Sequence, residues 1–376
     1  MESILKSIQN IRGENSFAID RANQNRYCVS VPEDDGSRTV YCFGVPVRHA
    51  DGQFVDRKFR FADEKGFFAG TNCTAEVGKE ILLRDENGFC RISLPRAVQA
   101  WDEQRMGNEE MEIRPSLNGV ICKVKCKPHQ AWPFTVSASN SSWEVRVNNK
   151  CLVLILYHHR PFVVASCIGT LNAAGDLIGP ALLEYHGNDN GEHRVCISHD
   201  IPDGEYILYE INLREQKLFM DTTVESANTM SNNAFGSTAF IGNTEQFGEQ
   251  WLYSRMDFDV VPEMFDFHAV TAKLYFPKLN RTETALSAHL VGTRFCSFES
   301  NWNNKIHTVG TVADSESVPG YFQFDLTQSL IQPQTKLLSL NHGWVFKAAK
   351  KDSGFAAIST GDSFCMPPIL AVRFET

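Results

Sequence analysis

Residues 80–94, EILLRDENGFCRISL, decide the fold class. Two apolar-rich runs flank Asn87-Gly88, a dipeptide suited to a tight hairpin because both residues tolerate positive φ. After it Cys90, Ile92 and Leu94 alternate with Arg91 and Ser93, the period of two of a strand with one wet face. An antiparallel hairpin is expected here.

The same reading extends in both directions. Upstream, Tyr27–Val31, Thr39–Phe43 and Phe59–Phe61 are short β-branched or aromatic runs, and with the hairpin they suggest a small β domain ending near Pro95. Ala97–Met111 is charged and lacks alternation, so it reads as a linker or short helix. Beyond it come Val120–Val124, Phe134–Ser137, Trp143–Val147, Arg194–Ile197 and Tyr206–Ile211. They are separated by turns at Asn148-Asn149, Asn188–Gly191 and Asp203-Gly204, a spacing typical of a sandwich. Leu152–Leu156 is apolar throughout and implies cover on both faces. From Lys217 on, loops rich in Asn, Ser, Gly and Thr separate short strands. Val270–Phe276 and Ser287–Val291 read as neighbours in one antiparallel sheet, followed by Tyr321–Leu326, Gly343–Phe346 and Ile369–Phe374. Helical periodicity occurs at residues 2–12, where Ile4, Leu5, Ile8 and Ile11 share a face. The expectation is an all-β protein of tandem antiparallel β-sandwich domains, divided as 1–108, 109–216 and 217–376, the last one jelly-roll-like.

Composition narrows the function classes. The chain has 376 residues, 43% hydrophobic and 22% charged, enough apolar material for packed cores. Its net charge of -9, with no Lys/Arg run longer than a pair, argues against nucleic acid as a partner, since neutralising phosphates takes a basic stripe. The longest apolar runs, Cys151–Tyr157 and Phe162–Ile168, are about seven residues each, too short to cross a bilayer as helices, so no transmembrane segment is expected. Residues 1–12 lack the apolar core and small-residue site of a signal peptide, which suggests a cytoplasmic protein or export without a classical leader. Eleven cysteines at irregular spacing, with Cys122 and Cys126 too far apart for a Cys-x-x-Cys site, read as mostly free buried thiols suited to a reducing compartment.

No nucleophile elbow, phosphate loop, dinucleotide fingerprint or His-Glu-x-x-His occurs. Asp257, Asp259, Glu263 and Asp266 are acids that glycoside hydrolysis could use if two stood at working distance, but a solvated edge is the simpler reading. His186, His193 and His199 lie in a turn-rich stretch and read as hydrogen-bonded surface residues, as does His158-His159 at a strand end.

The last segment carries a family resemblance. Its ordered landmarks are Asp221–Val224, Asn233–Gly236, a strand ending at Gly242, Tyr253–Asp259, Ala272–Tyr275, Trp302–Lys305, Phe324–Thr327, Gly343–Phe346 and Pro367–Val372. In order and spacing this series resembles the DNRLRE domain family, a jelly-roll-like β-sandwich related to carbohydrate-binding modules, although Trp251–Arg255 stands where that family has its aliphatic-Arg strand. Residues 1–216 resemble the β-rich regions that precede such domains in bacterial surface or toxin-type proteins. The resemblance implies binding or architecture and no reaction. Sugars stack their C–H faces on aromatic rings and offer hydroxyls to amides, so Trp251, Trp302 and Trp344, with Asn303 and Asn341 beside them, are the expected glycan-binding residues. Asp221, Asn232 and Asn233 are candidate oxygen donors for a loop-stabilising calcium. Glycan or cell-surface polysaccharide is thus the expected partner. The alternative is a structural subunit or spacer of a surface, phage-tail-like or toxin-type assembly, in which residues 2–12 dock onto a protein partner.

Overall fold

The computed structural model describes residues 2–20, 25–138, 143–148, 152–157, 160–189, 192–339, 341–350 and 354–375. Its described strands form four antiparallel sheets, an all-β multi-sheet sandwich architecture. The chain divides into two compact units, residues 1–54 with 216–234 and 238–376, and residues 55–215 with 235–237. Three consecutive domains were expected. The break expected between 216 and 217 falls within one residue of the change from one unit to the other at 215/216, whereas none falls at 108 and the expected first domain is divided between the two units. Arg38–Phe43 pairs with the closing strand Ile369–Phe374, Arg38 facing Phe374 and Phe43 facing Ile369, which places the N-terminal strands in the C-terminal unit. Met111–Pro115 pairs with Arg105–Gly107 on one side and Gly119–Lys125 on the other, so no break falls near residue 108.

In the second unit the expected hairpin is present: Glu80–Asp85 pairs with Gly88–Ser93, and the Asp85 carboxylate accepts the backbone N–H groups of Asn87 and Gly88 at 2.7 and 3.1 Å. Ala97–Met111 is neither linker nor helix. Gln99–Asp102 and Arg105–Gly107 form a further hairpin, with Asp102 accepting from Gln104 N–H across its turn. Phe134 and Tyr209, one from each of this unit's two sheets, stack at 5.9 Å. Residues Phe162–Ile168 are buried on both faces of their strand, as their unbroken apolarity implies. The side chains of Leu152–Leu156, the pair His158-His159 and the turn residues Asn149, Asn190 and Gly191 lie outside the described residues.

In the first unit a six-stranded and a seven-stranded sheet enclose one core. Leu274, Phe276, Phe324, Leu370 and Val372 point inward from the six-stranded sheet. Ile241, Leu252, Ala288, Trp344 and Phe346 meet them from the seven-stranded one. Phe276, Phe324 and Phe346 interlock edge to face, with Phe346 4.9 Å from each of the other two. Ala269–Pro277 and Leu286–Val291, expected to be neighbours, belong to different sheets: the chain changes layer between them, and each finds its partners among distant strands. The helix Glu2–Arg12 has Ile4 and Ile8 buried, and Arg12 forms an ion pair with Glu33 at 2.7 Å. Two of the four residues of its apolar face are therefore buried, while Leu5 and Ile11 are partly covered. No described helix is long and apolar enough to cross a membrane.

Candidate functional site

Strand parity sorts the expected ligand residues onto opposite faces of the seven-stranded sheet. Gly343 has φ +103, and a Cβ there would lie 2.6 Å from Ser254 O, so glycine fixes the entry of the strand Trp344–Ala348. That entry turns Trp344 inward. Trp344 is fully buried, and its indole N–H donates to Ser329 Oγ at 3.1 Å. It is a core residue and cannot serve as a sugar platform. Asn341 is spent as well: its amide donates to Ser329 O at 3.0 Å and its carbonyl accepts from Gly343 N–H at 2.8 Å.

Trp251 and Lys347 follow the opposite parity and lie on the outer face, along with Tyr253, Val345 and His289. Residues 292–307 fold over part of this face. Phe295 packs edge-on to Tyr253 at 5.6 Å, and the Tyr253 hydroxyl donates to Ile306 O at 3.1 Å. This loop delivers Trp302, half-buried, to Trp251, also half-buried, with ring centroids 4.9 Å apart and planes inclined by 50°. Lys305 Nζ stands 3.8 Å from the centre of the Trp302 ring, and Lys347 Nζ stands 3.9 Å from that of Trp251. Glu249 accepts the Trp251 indole N–H at 2.9 Å. Partial burial, with the charge of Lys305 adding to it, lowers the pKa of Lys347, while Glu249 opposes that shift. His289 is held between Ser287 Oγ at 2.9 Å and Thr311 Oγ1 at 3.2 Å; burial and then Lys347 lower its pKa.

The asparagines around Trp302 mostly build the loop. Asn301 Oδ1 accepts from the N–H groups of Asn303 and Asn304, and Asn304 Oδ1 in turn accepts from Asn301 N–H at 2.7 Å. Asn303 is exposed and reaches Thr229 Oγ1 at 3.1 Å. Of the five expected ligand residues, Trp251, Trp302 and Asn303 are thus brought to one surface region, and Trp344 and Asn341 are not. Lys305, Lys347 and Glu249 were missed. Lys305 and Glu249 had local signals, three residues after Trp302 and two before Trp251, whereas Lys347 joins only through pairing across strands.

The oxygen donors proposed for calcium do not converge. Asp221 is buried beside Lys217, whose ammonium lies 3.5 Å from Asp221 Oδ1, contacts Asp362 more closely and reaches Ala234 O at 3.4 Å. The lysine supplies the positive charge that a metal would bring. Asp221 Oδ2 accepts Gly361 N–H at 2.6 Å, and residue 361 must be glycine because a Cβ would lie 2.6 Å from that of Phe219. Even so, burial holds the Asp221 carboxyl well above the usual carboxylate range. Asn232 turns its amide to Ser297 O and Ser300 O, both at 2.6 Å, and its Oδ1 to Ala234 N–H at 3.2 Å. Asn233 is buried, and its Oδ1 has no hydrogen-bond partner among the described residues. Among the described residues no group of three or more His, Cys, Asp or Glu is arranged to hold a metal ion.

The remaining expected chemistry is dispersed. Asp257 accepts from Asp259 N–H at the start of a 3-10 turn, while Asp259, Glu263 and Asp266 are exposed. His193 meets the Tyr185 hydroxyl at 3.0 Å and His186 lies 3.8 Å from Glu184. His199 is no surface residue: it is fully buried, with Nε2 2.7 Å from Cys126 O. No family model matches the chain, and no curated protein matches it in sequence.

Proposed function

We propose that this is a non-enzymatic carbohydrate-binding protein, of the kind that serves cell-surface adhesion in bacteria, and that its site is the Trp251–Trp302 patch on the outer face of the seven-stranded sheet. The observation that carries the reading is the pair of half-buried indoles 4.9 Å apart, held by a built loop and fringed by Lys305, Lys347, Glu249 and exposed Asn303. Indole surface stacks on pyranose C–H faces, and ammonium, carboxylate and amide groups at its rim match sugar hydroxyls. The resemblance of residues 217–376 to the DNRLRE family, with its relation to carbohydrate-binding modules, supports the same class of ligand.

A glycan array tests the proposal. The protein is expected to enrich on at least one glycan with EDTA present, since the proposed patch meets the sugar with rings, ammonium groups and an amide, and its carboxylate Glu249 holds the Trp251 N–H. Trp302→Ala and Trp251→Ala should each remove that enrichment while leaving the far-UV spectrum and a cooperative melt in place. Enrichment that survives both substitutions, or none with the unmodified protein, would sink the reading.

A further inference from the structure

The first unit contains a thiol pair whose placement goes beyond the sugar-binding reading and does not depend on it. Cys28 lies in the strand Cys28–Pro32, at the edge of the six-stranded sheet, directly opposite Cys42 in Arg38–Phe43. Phe43 N–H donates to Tyr27 O at 2.9 Å, and Glu33 N–H donates to Ser37 O at 2.8 Å. Hydrogen-bonded pairs alternate with open ones along an antiparallel ladder, and these two bonds assign Tyr27/Phe43 and Glu33/Ser37 to the bonded set. Counting between them, Cys28/Cys42 falls in the open set, where Cα atoms approach to about 4.5 Å and the side chains lean together. That spacing lies within the Cα range a disulfide spans, about 4.4–6.8 Å.

The side chains agree with the register. Cys28 Sγ is 2.8 Å from Cys42 Sγ, and Cys42 Sγ is also 3.2 Å from Met264 Sδ, which holds the thiol on the core side of the strand. In register the other described strand cysteines stand opposite residues of other types: Cys90 faces Leu83 and Ala138, Cys122 faces Ile113 and Tyr209, Cys167 faces Tyr209, and Cys196 faces Pro133 and Glu184.

We infer that Cys28 and Cys42 are a redox pair that closes to a cross-strand disulfide by exchange with a low-molecular-weight disulfide such as oxidised glutathione. The Cys28 thiolate attacks one sulfur of glutathione disulfide, giving a mixed disulfide and releasing one glutathione thiolate. The Cys42 thiolate then attacks the Cys28 sulfur and releases the second. Two thiol protons and two electrons leave the protein, and one glutathione disulfide becomes two glutathione molecules. Cys28 reacts first because it stands on the edge strand, 3% exposed, whereas Cys42 is fully covered. Both are core residues, so exchange follows local opening of the edge, and the bond then staples the edge strand to its neighbour.

The experiment uses the intact protein, reduced, equilibrated with glutathione disulfide at mildly alkaline pH, alkylated in denaturant and digested with trypsin. Cleavage after Arg26, Arg38 and Arg48 places Cys28 in the peptide Tyr27–Arg38 and Cys42 in Thr39–Arg48, each with one cysteine. The expected result is a linked peptide pair two hydrogens lighter than the sum of the free peptides and separated by reductant. Its formation should be accompanied by a higher melting temperature, a rise absent from Cys28→Ser. Recovery of both peptides alkylated, or of Cys28 joined only to glutathione or to another cysteine, would overturn the inference. A linked form that melts no higher than the reduced one would overturn the staple.

Discussion

The two faces of the sheet at the strand Trp344–Ala348 each hold a tryptophan, for different ends. Inward, Trp344 and Phe346 are fully buried and lock two sheets together. Outward, Lys347 lies against Trp251, and the loop 292–307 closes over part of its surroundings. Strand parity thus separates Trp344, which holds the fold, from Trp251 on the neighbouring strand, which meets solvent. Local polarity, Asn341 and His342 beside one and Gln250 beside the other, does not reveal which is which. Charged groups are handled differently too. On the face that Leu252 shares, Asp221 is buried with Lys217, and Glu225 is buried beside Gln250; on the other face the ammonium groups of Lys305 and Lys347 rest on indoles, with Glu249 at their rim.

The largest expected effect breaks this comparison at its centre. Trp344→Ala leaves a cavity between the sheets and should destabilise the first unit by about 4 kcal/mol, while Trp251→Ala, half-buried on the other face, should cost about 1–2 kcal/mol. Chemical denaturation of both variants measures the difference. Equal losses would mean that the outer patch is as much core as the inner one, and would weaken its claim to be a ligand surface.

How much of this was legible depends on range. The hairpin at residues 80–94 could be read because its turn, its alternation and its partner lie within fifteen residues. The strand Arg38–Phe43 could be read as a strand, but its partner Ile369–Phe374 is more than three hundred residues away, and no local pattern announces that pairing. The grouping of residues 1–108 as one domain failed for that reason, while the change of pattern near Lys217 did mark the passage from one unit to the other. In the candidate site, Trp302 and Lys305 share a turn, whereas Lys347 reaches Trp251 only through the register of two strands. Lys217 was hidden too, since a lysine enclosed by Asp221 and Asp362 is understood only when all three are seen to be buried.

An intermediate effect sharpens the contrast in how charged groups are handled. Glu225 lies across from Gln250, which donates to it at 3.4 Å, and burial pushes its pKa up to about 7. A carboxyl whose folded pKa exceeds its unfolded value of 4.5 favours folding most below that value, and the advantage is lost as pH rises through about 7. Between pH 4.5 and 8 this group should therefore withdraw roughly 2–3 kcal/mol of stability, opposite in sign to an ion-paired carboxylate. Glu225→Gln should flatten that part of the pH profile of unfolding, and an unchanged profile would exclude Glu225 as its source.

The smallest effect on folding is expected at Lys305. Its ammonium lies over Trp302 at a half-buried site, where such a contact contributes on the order of 1 kcal/mol or less. Lys305→Met retains most of the aliphatic stem and removes the charge, so the denaturation midpoint should barely move. Binding is the better readout, because the same ammonium has two possible relations to a sugar. If it donates to a hydroxyl or acidic substituent, its loss should weaken the best array ligand by about tenfold, the equivalent of 1.4 kcal/mol, and titration of wild type and variant against that ligand would measure it. If it instead occupies the indole surface that a sugar needs, the variant should bind more tightly. We expect the first outcome, because Lys347 and Glu249 place further polar groups at the same rim, and a rim that only shielded the rings would not need a carboxylate holding the Trp251 N–H.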